Sequence, residues 1–334
     1  MSDRSRSSST RLFAWLGLLL AIVLILSVFV GRYPAPYWMP PALLVQDNMA
    51  QQLVLSLRLP RLIAALLLGM TLSAAGTVMQ MIFRNPLVEP GFLGVTQGAA
   101  FGAALSILWI STAPLVIEIS ATLFALLGLV LSYYLARRLR FGGWVLRLVL
   151  AGIAISALFT SGNGVLKYLA DPLTQLPEIT FWLLGGLWGV TWRDLLYMLP
   201  LVVPGLIVVY LMRWRLNLLS LSDETAFSLG TAPGRERSIL LLSAVAATAA
   251  VTAVGGVVGW VGLIIPHIAR RICGANAQYT LPASMLIGGA FVVVCDDLGR
   301  TLMAGEIPLG ILTSLIGAAL FIGLMMRSGL KVRT

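Results

Sequence analysis

The sequence predicts an all-α polytopic membrane protein with about ten transmembrane helices, and three observations carry that reading. Hydrophobic residues make up 59% of the chain and charged ones 11%, where soluble globular chains run nearer one quarter charged. Apolar runs of spanning length recur from end to end. The basic residues between those runs fall mostly on one side.

Runs long enough for a helix through roughly 30 Å of hydrocarbon lie at 12–31, 60–83, 115–136, 144–168, 192–212, 237–257, 281–303 and 307–326. The first follows MSDRSRSSSTR, and no small-residue cleavage site comes after it. It therefore reads as a transmembrane helix rather than a removable leader. Two shorter glycine-rich runs, 92–109 and 259–273, make ten if both cross. Gly94, Gly98 and Gly102 recur every four residues, as do Gly255 and Gly259, a spacing that lets helix backbones approach closely.

Ten spans with the N-terminus inside put seventeen Lys and Arg residues in inner segments and six outside, the six being Arg32, Arg58, Arg61, Lys167, Arg193 and Arg300. Both termini are expected in the cytoplasm. The segment 60–168 runs long span, short glycine-rich span, long, long, and 237–326 repeats that order starting from the opposite side. Inverted repeats of this kind mark transporters, with the pathway at the repeat interface. The whole chain, 1–334, reads as one transmembrane domain.

The main interruption is 216–237, LNLLSLSDETAFSLGTAPGRER, expected on the cytoplasmic side. Ser222 can cap a helix whose first turn carries Asp223 and Glu224, the charge sign a helix N-terminus favours. Gly230 and Pro233 then stop it. Two readings stay open: a solvated loop, or a short surface helix for a soluble partner to grip.

Catalytic signatures are missing from the sequence. It holds no GxxxxGK[ST] phosphate loop, no zinc-protease helix and no serine nucleophile elbow. His267 is the only histidine and stands in IIPHIARR, where an interfacial structural role is expected. Cys273 and Cys295 show no paired spacing, so neither a disulfide framework nor a metal site is implied. Basic pairs scattered between apolar runs form no nucleic-acid surface. Acidic residues in the spans are few: Glu118 near an outer end, and Asp296 and Asp297 in VVVCDDLGR. That pair could couple transport to protons in a secondary transporter acting alone, or could sit at a helix end solvated by the outer medium.

RLPRLIAALLLGMTLSAAGTVMQMIFRNPLVEPGFLGVTQGAAFGA is similar to the second and third helices of the FecCD/BtuC-type permeases. These are membrane subunits of type II ATP-binding-cassette importers for siderophores, haem, cobalamin and related metal chelates. LNLLSLSDETAFSLG resembles the family's coupling loop, GWVGLIIPHIARRICG its short eighth helix and EIPLGILTSLIGAALFIGLMMR its last. The likeness runs from about residue 50 to the end.

The resemblance implies a permease in the bacterial inner membrane, paired with itself or a close homologue. Two ATPase subunits and one periplasmic binding protein complete the assembly. ATP and Mg belong to the ATPase, so this chain binds no cofactor and is not itself an enzyme. The coupling positions fall on Leu218, Ser222, Asp223, Glu224, Ala226, Leu229 and Gly230. Ser222 stands where the family has glycine, and Phe227 where it commonly has a polar or basic residue, which leaves partner interchangeability open. Arg58 and Arg61 in RLPR, with Arg300 in DDLGR, match the arginines that grip acidic patches on the binding protein. Guanidinium forks suit carboxylates. Pathway positions are Ser156, Thr160, Ser161, Asn163 and Gly164, with Thr313 and Ser314 on the last helix, each open to a helix-packing role instead. Gly142 and Gly143 are placed at the inner gate. An iron chelate (siderophore or haem) is the first expectation for cargo, and cobalamin the next.

Overall fold

The computed structural model describes residues 3–303 and 305–328. Of the basic residues counted inside, Lys331 and Arg333 lie outside the described residues, as do the side chains of Arg4, Arg6 and Arg327.

Helix α1 (Asp3–Phe29) leads into a two-stranded hairpin, Val30–Gly31 against Tyr37–Trp38, which the apolar pattern did not announce. After the short α2 (Leu43–Gln46), Asp47 caps α3 (Asn48–Leu53) by accepting the Met49 N–H at 2.9 Å. A π-turn, Val54–Arg58, joins α3 to α4 (Leu59–Ile82), giving one continuous helix, Asn48–Ile82. The second span therefore starts well before residue 60, and Arg58 lies within the helix rather than in an outer loop. Pro60 explains the π-turn: it has no N–H for the ladder, and Leu59 N–H bonds Val54 O, five residues back.

A 3₁₀ turn, Pro90–Leu93, precedes α5 (Val95–Leu105), which a π-turn extends to Ile110. Then follow α6 (Pro114–Arg138), α7 (Trp144–Leu169), the short α8 (Gln175–Leu184) and α9 (Trp192–Leu211). A capping box between Thr191 and Asp194 starts α9. The interruption after it folds as two helices, α10 (Arg213–Leu219) and α11 (Asp223–Ser228). Helix α12 (Pro233–Gly255), α13 (Val261–Cys273), α14 (Ala277–Thr301) and α15 (Leu309–Ser328) complete the chain.

Among the described residues, eight helices are long and apolar enough to cross a membrane, and α5 with its extension is a shorter apolar one. Helix lengths of 24, 11, 25 and 26 residues in α4–α7 are followed by 23, 13, 25 and 20 in α12–α15. The long–short–long–long order read from the sequence is thus present in the helices themselves.

Burial sorts the helices into a centre and a shell. The helix ending in α4, with α12 and α14, is 78%, 67% and 61% buried over its apolar window, against 6% for α1 and 22% for α7 and α15. The central contacts run through glycine. A Cβ on Gly69 would stand 2.1 Å from Gly288 O, and one on Gly76 1.9 Å from Gly262 O, so α4 touches α14 and α13 backbone to backbone. Between α5 and α6, Gly98 and Gly102 meet Phe124 O and Ser120 O in the same way, which bears out the four-residue spacing. Gly259 does not follow its expectation. The chain unwinds after Gly255, and a Cβ at Gly259 would meet nothing within 4 Å. Buried hydroxyls reinforce the crossings: Ser120 Oγ donates to Gly102 O at 2.7 Å, and Thr77 Oγ1 lies 3.1 Å from Ser284 Oγ.

Candidate functional site

The seven coupling positions fall on the α10–α11 segment. Ser222 Oγ accepts the Thr225 N–H at 3.3 Å, as its capping role requires, and Asp223 and Glu224 occupy the first turn. Gly230, at φ +80°, ends α11, and the Thr231 hydroxyl closes the turn onto Ala226 O at 2.6 Å. Ala226 is fully buried, so it forms the underside of the helix rather than a contact surface. The outward side shows Glu224, Phe227 at 73% exposure and Leu229 at 55%, with Leu218 half-buried alongside.

This segment is pinned to the ends of three central helices. Arg237 of α12 sets Nη2 2.7 Å from Asp223 Oδ1 and donates to Leu219 O at 3.1 Å. The Arg84 guanidinium, just past α4, donates to Leu221 O. Asn217 accepts the Ala277 N–H at 2.9 Å, joining α10 to the start of α14. Arg215 pairs with Glu236 at 2.9 Å. The hydrogen bond from Arg237 holds the Asp223 carboxyl below its usual range, helped by the charges of Arg237 and Arg84.

At the other end of the molecule, all three arginines expected to grip a partner spend their forks inside the chain. Arg61 clasps Asp296, with Nε 2.9 Å from Oδ2 and Nη2 2.9 Å from Oδ1, and reaches Glu306 at 2.9 Å. Arg300 pairs with Asp297 and donates to Ser27 O at 2.7 Å. Arg58 is buried, donates to Val28 O at 2.8 Å and to Tyr33 O at 3.5 Å, and has no carboxylate partner among the described residues. The solvated helix end expected for Asp296 and Asp297 is therefore corrected. Asp296 is 5% exposed, because α1 and α4 close over the end of α14: Arg61 of α4 pairs with Asp296, and Ser27 of α1 donates to Asp297 at 2.7 Å. A cavity of about 360 Å³ opens over the cluster, lined by Arg32, Arg58, Arg61, Arg300 and Glu306.

The pathway candidates divide. Ser156 and Thr160 line a cavity of about 370 Å³ with Glu89, Thr96, Gln97 and Gly259. Ser161 and Gly164 are exposed on α7, and Ser314 is half-buried on α15. Asn163 and Thr313 pack instead of lining. The Asn163 amide, oriented to satisfy both its groups, donates to Ala100 O at 3.2 Å and accepts from Phe101 N at 3.3 Å. Thr313 is fully buried and donates to Gly310 O at 3.3 Å. In both places a neighbouring backbone offers a polar partner inside an apolar contact, which outcompetes exposure. Gly142 and Gly143 form an exposed turn before α7, with Gly142 at φ +66°.

Sequence reasoning passed over Glu89, Thr96 and Gln97, although polar residues inside a short glycine-rich apolar run were a usable signal. It also missed a second cavity of about 470 Å³, lined by Glu118, Glu178, Asp194, Trp182 and Trp188. His267 Nδ1 lies 2.7 Å from Leu263 O, one turn back on its own helix, and its ring meets Phe321 edge-on, a packing position.

Comparison with known proteins places this geometry. A family model described as the FecCD transport family matches residues 19–327. A probable iron chelatin transport system permease protein of Helicobacter pylori is 40% identical over 278 residues, 83% of each chain. The molybdate import system permease protein MolB of Haemophilus influenzae is 38% identical over 315 residues, 92% of each chain. A solved inward-facing structure of a transporter assigned to the metal-chelate ABC type superimposes with a TM-score of 0.88 at 37% identity, covering 95% of this chain and 99% of that one.

Proposed function

The chain belongs to the FecCD transport family, and from that premise we propose that it is the permease of an ATP-binding-cassette importer, working as a homodimer and passing an iron chelate to the cytoplasm. A separate ATPase supplies the energy, and a periplasmic binding protein delivers the cargo. The observation that carries this reading is the α10–α11 segment: tied to three central helices, it ends in a short capped helix that holds Phe227 and, at its C-cap, Leu229 exposed beside Glu224. Large apolar side chains that the core leaves uncovered on a charged connection between spans suit a docking surface.

Binding and closure of ATP on the partner would then push α11, and the helices to which it is pinned would change the access of the cavity beside Ser156 and Thr160. This chain makes and breaks no bond in its cargo. On the outer face, the exposed Arg32, beside Arg58 in the wall of the charged cavity, would receive an acidic side chain of the binding protein. The iron-chelate assignment rests on the Helicobacter relative. The Haemophilus relative is named for molybdate, so an oxyanion is the alternative cargo.

The rival reading, a secondary transporter driven by ions, needs a carboxylate free to load and release protons. Asp296 and Asp297 are committed to Arg61 and Arg300, which argues against it. Reconstitution separates the two. In vesicles holding the chain, its ATPase and its binding protein, uptake of a ferric chelate is expected with ATP and not with a proton gradient. Gradient-driven uptake by the chain alone would overturn the proposal, and replacing the exposed Phe227 and Leu229 by alanine is expected to reduce uptake while leaving the protein folded.

A further inference from the structure

Arg237 does more than close one ion pair. It is 4% exposed near the start of α12, and its guanidinium sits where three elements meet. One edge serves the coupling segment: Nη2 lies 2.7 Å from Asp223 Oδ1 and 3.1 Å from Leu219 O. Its face lies over Trp144, with Cζ 5.8 Å from the ring centroid. Trp144 is the first residue of α7, one position after the Gly142–Gly143 turn. The Trp144 ring also stacks on Phe83, at 6.3 Å and 3° between planes. Phe83 caps α4 and is buried, and its neighbour Arg84 returns to the coupling segment at Leu221 O.

The contacts therefore form a closed circuit: α11, Arg237, Trp144, Phe83, Arg84 and back to the residue before Ser222. We propose that Arg237 is the positioning residue through which movement of α11 reaches the turn at 142–143. The inference rests on the coupling role proposed above and deepens it. Arginine suits the task because its planar group can pair at an edge and stack on a face at the same time, which an ammonium cannot do. Asp223 is exposed on the surface that the ATPase would meet, whereas Trp144 is half-buried behind it, so a push on the first displaces the second through one shared group. Rigid packing transmits such a shift because buried side chains have few alternative arrangements.

The test uses the full chain assembled with its ATPase in nanodiscs. A Phe141→Cys reporter stands in the exposed turn, in a Cys273→Ser background; the remaining Cys295 is buried. Labelling of position 141 by a water-soluble maleimide is followed with and without ATP and vanadate, and ATPase affinity is measured on the same samples. In the parent, nucleotide is expected to change the labelling rate by about tenfold. Arg237→Lys keeps the charge and loses the stacking face; Trp144→Leu loses the ring and leaves the ion pair. Both are expected to reduce the nucleotide response to less than about twofold while ATPase affinity stays within about twofold of the parent.

A full response in both variants overturns the inference. So does a response that falls only in proportion to lost ATPase binding, which would leave Arg237 as a brace for the docking surface. If the parent itself neither binds an ATPase nor responds to nucleotide, the importer reading fails first and takes this inference with it. Should Arg237→Lys not fold, Trp144→Leu decides the question alone.

Discussion

Arg61 closes a bidentate fork on Asp296 across 235 residues of sequence, with Nε and Nη2 each 2.9 Å from a carboxylate oxygen. The arginine is 14% exposed and the aspartate 5%. Paired burial of this kind is expensive to break from one side, because the remaining charge keeps its desolvation cost. Asp296→Asn, which leaves Arg61 its more exposed partner Glu306, is expected to destabilise the protein by about 1.5–3 kcal/mol, read as a lower melting temperature in detergent. The double replacement Arg61→Met with Asp296→Leu is expected to recover most of that loss. If the single and double variants melt alike, the pair is not holding α4 to α14.

Phe227 and Leu229 are the exposed apolar side chains on α11. Replacing both by alanine is expected to weaken ATPase association by about tenfold or more, about 1.4 kcal/mol, while the permease melts unchanged. Pull-down titration against the purified ATPase measures this. Unaltered affinity would move the docking surface elsewhere.

Arg58 and the exposed Arg32 share the outer cavity. Arg58→Gln with Arg32→Gln is expected to weaken capture of the binding protein by about tenfold and to reduce its salt dependence. Arg61→Gln is a poorer probe of docking, since it also exposes Asp296 to the loss described above. Surface plasmon resonance at two ionic strengths reads both effects, and an unchanged salt slope would count against an acidic partner surface.

Gly69 faces Gly288 with room for no side chain. Gly69→Val is expected to cost about 3 kcal/mol or more through overpacking, and little folded protein should be recovered by size exclusion. Gly143→Ala is the matched control. A Cβ there meets nothing within 4 Å and its φ is −76°, so the melting temperature should stay within the scatter of replicates.

Asp223 is held below the usual carboxylate range by Arg237. A lowered folded-state value means that the stabilisation is fully present above the unfolded value of about 3.9 and fades as pH falls through the lower one. The α11 tether should therefore be constant from pH 5 to 8, to within about 0.1 kcal/mol, and loosen only in stronger acid. Hydrogen exchange of the 223–228 amides, corrected for intrinsic rates, reads the loosening. In Asp223→Asn that acid step should vanish.

Much of this was legible in the sequence because its causes are local. A run of apolar residues long enough to span needs no distant partner to form a helix, since the ladder bonds lie within the segment. Ser222 caps its helix three residues on, Gly230 ends it, and Gly98 and Gly102 read correctly as a close-packing stripe. The helix start at Asn48 lies outside the apolar run that begins at residue 60, because a π-turn carries the helix past Pro60.

What tertiary structure decided was which side of each helix faces what. Helices bound for lipid are apolar all round, so hydrophobicity does not mark the inward face as it does in water. The sequence therefore could not separate Ser156 and Thr160, which line a cavity, from Asn163 and Thr313, which pack. Nor could it show that Arg61 and Arg300 already hold Asp296 and Asp297. Charges far apart in the chain become partners only when helices close around them, and the low dielectric that makes their pairing necessary exists only once the bundle has formed.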